Sequence, residues 1–152
     1  MKSPVDEAVA LFEEGFSCSQ AILAAWAEQF NLDRSLGIKL SGGFGGGFGL
    51  MGGLCGSLTG AAMVLGLKFG SDKALDKASK YRLYEKVRLL GEEFKTRAGS
   101  MYCRDLLGFD LSSPQGQIAA KQPGAFSNCS EFVRIAAEIT REILEQDSLP
   151  AF

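Results

Sequence analysis

Apolar residues recur along this chain at three- and four-residue steps, in stretches bounded by residues that start and stop helices. Val5, Ala8, Val9, Phe12 and Phe16 lie at helical spacing. Ser3 can cap that helix with Pro4 at its first position, and Gly15 can break it. Ser17 and Gln20 form an S-x-x-Q capping box that opens a second helix, with Cys18 at its first position. Ala21, Ile22, Ala25, Trp26 and Phe30 supply its apolar stripe. The pattern then lapses. Residues 31–41 read as a connector, and 42–53 hold too much glycine for regular structure.

A third helix is predicted over about 54–68, with Cys55 in its first turn and Gly70 just past its end. Ser71 opens a long fourth helix over about 72–98, charged outside and carrying Leu75, Ala78, Val87, Leu90 and Phe94 inward. Short helices are expected at 100–107, around Cys103, and at 114–121, opened by Ser113-Pro114. Asn128-Cys129-Ser130-Glu131 is a capping-box pattern that starts a final helix over 129–146. Phe132, Ile135, Ala136, Ile139 and Ile143 mark its buried face. No segment shows convincing period-two alternation. The expected fold is all-α, a single compact helical domain over 1–152 with about five main helices and a glycine-rich loop.

Composition narrows the function. The 152 residues are 46% hydrophobic and 22% charged, as in an ordinary globular domain. Sixteen basic against 18 acidic residues argue against a nucleic-acid partner, which favours a basic face. The N-terminus lacks the apolar stretch of a secretory signal, so a cytoplasmic location is expected, where ordinary thiols stay reduced. No charge occurs in the 28 residues between Lys39 and Lys68, long enough to span a bilayer, but 11 of them are glycine. The convincingly apolar helical part, 54–67, is too short, so no membrane span is expected.

Gly47-Phe48-Gly49-Leu50-Met51-Gly52 matches G-x-G-x-x-G, which marks a dinucleotide site only after a strand and inside a βαβ unit. No such unit is predicted, so nucleotide binding is not expected. The glycines instead let the backbone approach a bulky inorganic group, or another backbone, closely. Gly56 and Gly60 give the third helix a flat face for tight packing.

The candidate chemistry lies in Cys18, Cys55, Cys103 and Cys129, in a chain with no histidine. Redox or metal chemistry here is therefore thiolate chemistry. The spacing, C-x36-C-x47-C-x25-C, contains no C-x-x-C and matches no zinc ribbon, thioredoxin motif or bacterial ferredoxin run. Buried apolar thiols would also account for spacing alone. Helix position adds to the functional reading. Cys18, Cys55 and Cys129 fall in first turns, where the macrodipole and free N–H groups favour a thiolate or a bound anion. An iron–sulfur cluster held by four thiolates is such an anion. Gly53 and Gly56, beside Cys55, are candidates to leave backbone N–H groups open toward it.

Cys18, then Gly-Gly-Leu-Cys55-Gly-Ser-Leu-Thr-Gly60-Ala, then Cys103-Arg-Asp-Leu-Leu-Gly, then Cys129, resembles the C_GCAxxG_C_C family of small redox-active proteins. The pattern is also similar to a domain of split-Soret cytochromes c. The resemblance covers roughly 16–143. It implies a prosthetic group such as an iron–sulfur cluster on the four cysteines, and exchange of electrons with a redox partner protein. The chain departs from the motif beside the second cysteine, where Gly56 follows directly and Ser57 stands at the motif's Ala. The haem-binding part of the split-Soret proteins has no counterpart, because there is no C-x-x-C-H.

Two other functions remain open on the residues: a cofactor-free thiol–disulfide protein using the cysteines in pairs, and a helical interaction module. Trp26 reads as core, and Tyr102 as a candidate shield for a cluster. The long fourth helix and the glycine-faced helix offer surfaces for a homodimer.

Overall fold

The computed structural model describes residues 2–147. Its elements are α1 (Pro4–Glu14), α2 (Cys18–Ala27), α3 (Arg34–Ser41), α4 (Gly56–Phe69), α5 (Lys77–Ala98), α6 (Cys103–Leu107), α7 (Pro114–Ala120) and α8 (Cys129–Asp147). Among the described residues no β-strand forms, and the class is all-α. The five helices of ten residues or more are α1, α2, α4, α5 and α8.

Local signals explain most boundaries. Ser3 accepts a hydrogen bond from the Asp6 N–H and starts α1, and Gly15 closes it at φ 123°. Ser17 and Gln20 satisfy one another's backbone reciprocally at the start of α2. Ser113 accepts from the Gly116 N–H ahead of α7.

Two boundaries differ from expectation. Residues 34–41 are helical, because the Asp33 carboxylate accepts the Leu36 N–H and caps α3. The long helix α5 starts five residues late, because Asp76, whose carboxylate accepts the Ser79 N–H, is its cap in place of Ser71. Leu75 therefore lies outside the helix and is exposed, as is Ala78, while Leu90 and Phe94 are buried as expected.

Helix α4 is the centre of the domain, packed against α2, α5 and α8, with α1 laid across α2 and α8. Trp26, Val64, Leu65, Leu90, Phe94, Val133 and Ile139 are almost fully buried between them. Each such side chain contributes about 1.5–3 kcal/mol relative to exposure. The approach of α2 to α4 needs small residues. A Cβ at Gly60 would lie 2.7 Å from the Ser19 carbonyl oxygen and 3.1 Å from Ile22 Cβ. No described helix is long and apolar enough to cross a membrane.

Between α3 and α4 the chain makes one 3-10 turn, Gly42–Phe44, then a run of left-handed backbone. Five consecutive residues, 46 to 50, have positive φ, including Phe48 and Leu50. Side chains there cost roughly 1–2 kcal/mol each. Backbone bonds from Gly49 to Gly43, Leu50 to Gly45, Gly52 to Gly46 and Gly53 to Gly47 hold the coil.

Candidate functional site

All four cysteines line one cavity of about 330 Å³. Each comes from the start of a helix: Cys18 and Cys129 are the first residues of α2 and α8, Cys103 opens α6, and Cys55 is the residue before α4. Cys55 thus caps α4 rather than sitting inside its first turn. The remaining wall is mostly apolar, with Phe12, Phe16, Phe126, Phe132, Leu106 and Leu107, and among the described residues no charged side chain lines it.

Three sets of contacts bring these thiols together. The first is the α2–α4 packing: a Cβ at Gly56 would stand 2.5 Å from Cys18 Sγ. The glycine leaves room for the sulfur. The second is a short antiparallel pairing of Leu54 with Tyr102. The Cys55 N–H donates to the Met101 carbonyl at 2.8 Å, and the Cys103 N–H donates to the Gly53 carbonyl at 2.7 Å. This bracket sets Cys55 beside Cys103, 48 positions away. The third is the glycine coil, which leaves α3 where that helix is tied to α2: the Ser19 hydroxyl donates to the Ser41 carbonyl and Gln20 Nε2 donates to the Ile38 carbonyl. Gly47 presses the coil against the bracket. With φ +71°, a Cβ there would meet Gly53 N at 2.5 Å and Cys103 Cβ at 2.7 Å.

The thiols differ electrostatically. Cys18 is lowered from the usual thiol value to about 7, foremost because Cys55 donates a hydrogen bond to it, against a burial effect that raises it. The Ser19 and Gly46 N–H groups and the Ser57 hydroxyl add to the lowering. Cys55 is raised well above the usual value, since it holds the shared proton and is buried. Burial first, and then the Cys18 charge, push Cys103 up to about 11. Burial, then the charges of Cys18 and Cys103, push Cys129 up to about 12. A helix start alone therefore does not acidify a thiol here: burial outweighs it at two of the four. Cys18 differs through its hydrogen-bond donors.

Gly56 lines the cavity, as expected. Gly53 does not: its N–H is given to Gly47 and its carbonyl to Cys103, so it builds the wall rather than facing the cavity. Tyr102 lies outside too, exposed, with the Arg104 guanidinium 5.2 Å from its ring centre. Trp26 is core. Ser57, Gly46 and the phenylalanines had no chemical signal in the sequence, and they enter the site through packing. No cysteine is in a disulfide. Among the described residues no three His, Cys, Asp or Glu side chains stand close enough to share one metal ion.

The family model described as "Putative redox-active protein (C_GCAxxG_C_C)" matches residues 16–143. The chain belongs to the C_GCAxxG_C_C family. All four cysteines of the chain lie within the matched residues and line the cavity. No curated protein and no solved structure matches the chain.

Proposed function

We propose that this C_GCAxxG_C_C protein is an electron carrier whose cysteines 18, 55, 103 and 129 hold an iron–sulfur cluster in the cavity. The observation that carries this reading is the convergence of four thiols, from widely separated segments, on one cavity without charged side chains. The donor set fits the group. Four soft sulfurs with no imidazole or carboxylate beside them suit iron–sulfur or zinc chemistry. Four sulfurs bound to one tetrahedral ion at about 2.3 Å would lie about 3.8 Å apart. A cluster distributes its thiolates over several irons and spreads them wider, which suits the arrangement here better. A buried Ser57 hydroxyl without a hydrogen-bond partner also fits a group not made of protein.

When bound, the cluster supplies one-electron redox chemistry. The protein's part is binding and exclusion. Cys18, already inclined to the thiolate, is the first sulfur ready to bind iron, and the other three must lose protons on loading. The phenylalanine and leucine wall shields the sulfurs in part: Cys55 is buried, and Cys18, Cys103 and Cys129 are half-buried. The electron passes to or from a redox partner protein in the cytoplasm. Anaerobic purification with iron and sulfide analysis tests the reading: a brown protein with both elements in fixed ratio to chain supports it. A colourless protein free of iron after reconstitution would sink it.

One observation favours a second reading. Cys55 donates a hydrogen bond to Cys18, so these sulfurs are neighbours with one proton between them. Such a pair can become a disulfide by exchange with a disulfide of a partner: the Cys18 thiolate attacks it, Cys55 resolves the mixed disulfide, and the partner leaves as two thiols carrying the two electrons and two protons. Mass spectrometry of the oxidised, iron-free chain would show a Cys18–Cys55 link on this reading, and four free thiols against it.

A further inference from the structure

The Ser57 hydroxyl is fully buried and, among the described residues, is the buried side-chain oxygen or nitrogen that has no hydrogen-bond partner. Removing a hydroxyl from water without a partner is costly, and such atoms are rare in folded proteins. The other fully buried hydroxyls all have partners. Ser19 donates to the Ser41 carbonyl, Ser41 to the Gly37 carbonyl and Thr140 to the Ala136 carbonyl. Ser41 and Thr140 close that bond to the carbonyl four residues back on their own helices. Ser57, the second residue of α4, does not. It lines the cysteine cavity, and its hydroxyl lies near enough to the Cys18 and Cys55 sulfurs to favour a charge on either, without meeting hydrogen-bond geometry to them.

The geometry points to a role for this hydroxyl that rests on the cluster reading: Ser57 is a positioning residue that donates its hydrogen bond to a sulfur of the bound cluster and sets its potential. Hydrogen bonds to cluster or thiolate sulfur tune reduction potentials. The physical reason is charge. An added electron makes the sulfurs more negative, so a fixed O–H dipole aimed at them stabilises the reduced form more than the oxidised one. Among the described residues no cationic side chain lines the cavity to do this instead.

The test uses the iron-loaded protein and its Ser57→Ala variant, which differs by one oxygen atom at a packed site. A single hydrogen bond contributes about 1 kcal/mol. The expected result is therefore a reduction equilibrium shifted roughly threefold to tenfold toward the oxidised form, about 30–60 mV lower at 59 mV per tenfold for one electron. Iron and sulfide content should match the wild type. Resonance Raman should show Fe–S stretching moved to higher frequency, because the bonds no longer share density with a donor. Ser57→Thr, which keeps the hydroxyl, should hold a potential nearer the wild type. In the iron-free protein at pH 6, where Cys18 keeps its proton, Ser57→Ala should melt at the same temperature or higher, since the lost hydroxyl then has neither a hydrogen-bond partner nor a thiolate to stabilise. Equal potentials and equal Raman frequencies in two loaded proteins would overturn the assignment. So would a marked fall in the iron-free melting temperature, which would reveal a structural bond. If the wild type itself takes up no iron and sulfide, it is the cluster reading that fails, and this role falls with it.

Discussion

Gly56 and Cys18 share one pocket of space: a methyl at residue 56 would lie 2.5 Å from the Cys18 sulfur and 3.0 Å from the Phe44 carbonyl oxygen. The close packing of α2 on α4 and the placing of a functional thiol are thus one contact. Gly56→Ala must displace either the sulfur or the helix. Overpacking of this kind costs about 1–3 kcal/mol. The expected outcome is a lower melting temperature together with at least a tenfold loss of iron binding. Iron retention with an unchanged melting curve would show that α2 yields freely.

Cys55→Ser should separate binding from folding. Residue 55 is the N-cap of α4, a position where serine is among the best residues. Helix content by circular dichroism should stay at the wild-type level while iron content falls to background. Full iron content in this variant would remove Cys55 from the ligand set.

Proton linkage in the reduced, iron-free protein has a defined sign. Cys18 is lowered to about 7. As pH rises from there to the ordinary thiol value, near 8.5, the native chain has released a proton that the unfolded chain keeps, so stability rises. Above that value Cys103 and Cys129, at about 11 and about 12, hold protons that the unfolded chain releases, and stability falls. Denaturant melts between pH 6 and 10 should show a rise and then a decline. Site-resolved alkylation should find Cys18 reacting first, with a midpoint near 7 that climbs in Cys55→Ala, where the hydrogen-bond donor is lost.

Far from the cavity, Arg97 joins α5 to α8 through two bonds to Glu142, at 2.8 and 3.3 Å. Both side chains are more than one-third exposed, so solvent screens the pair. Arg97→Ala should cost less than about 1 kcal/mol and leave iron binding intact. A larger loss would show that the α5–α8 contact supports the cavity from behind.

Local rules made much of this fold readable. Ser3, Ser17, Ser113 and Gly15 act through neighbours three or four residues away, so their effects stand in the sequence itself. The boundaries of α1, α2 and α7 follow from them. Asp33 and Asp76 obey the same rule but stand out less, since Asp33 precedes a weakly apolar segment and Ser71 offers an earlier cap. The convergence of the four cysteines followed from family pattern and helix position together. The bracket that joins Cys55 to Cys103 depends on residues almost fifty positions apart, and no local pattern announces it. The same holds for Gly53, whose backbone is consumed by Gly47 and Cys103, and for Ser57, whose isolation is a fact about what surrounds it.

The pairing of Leu54 with Tyr102 ties two loops by main-chain bonds that no helix owns. Its amide protons therefore form a clock separate from helical unfolding. Exchange with deuterium at Cys55 and Cys103 reports how often these strands of loop part, and parting them carries two thiols out of the cavity at once. Slow exchange there would mean that the cavity is built before anything enters it, and that entry must come through the aromatic wall instead.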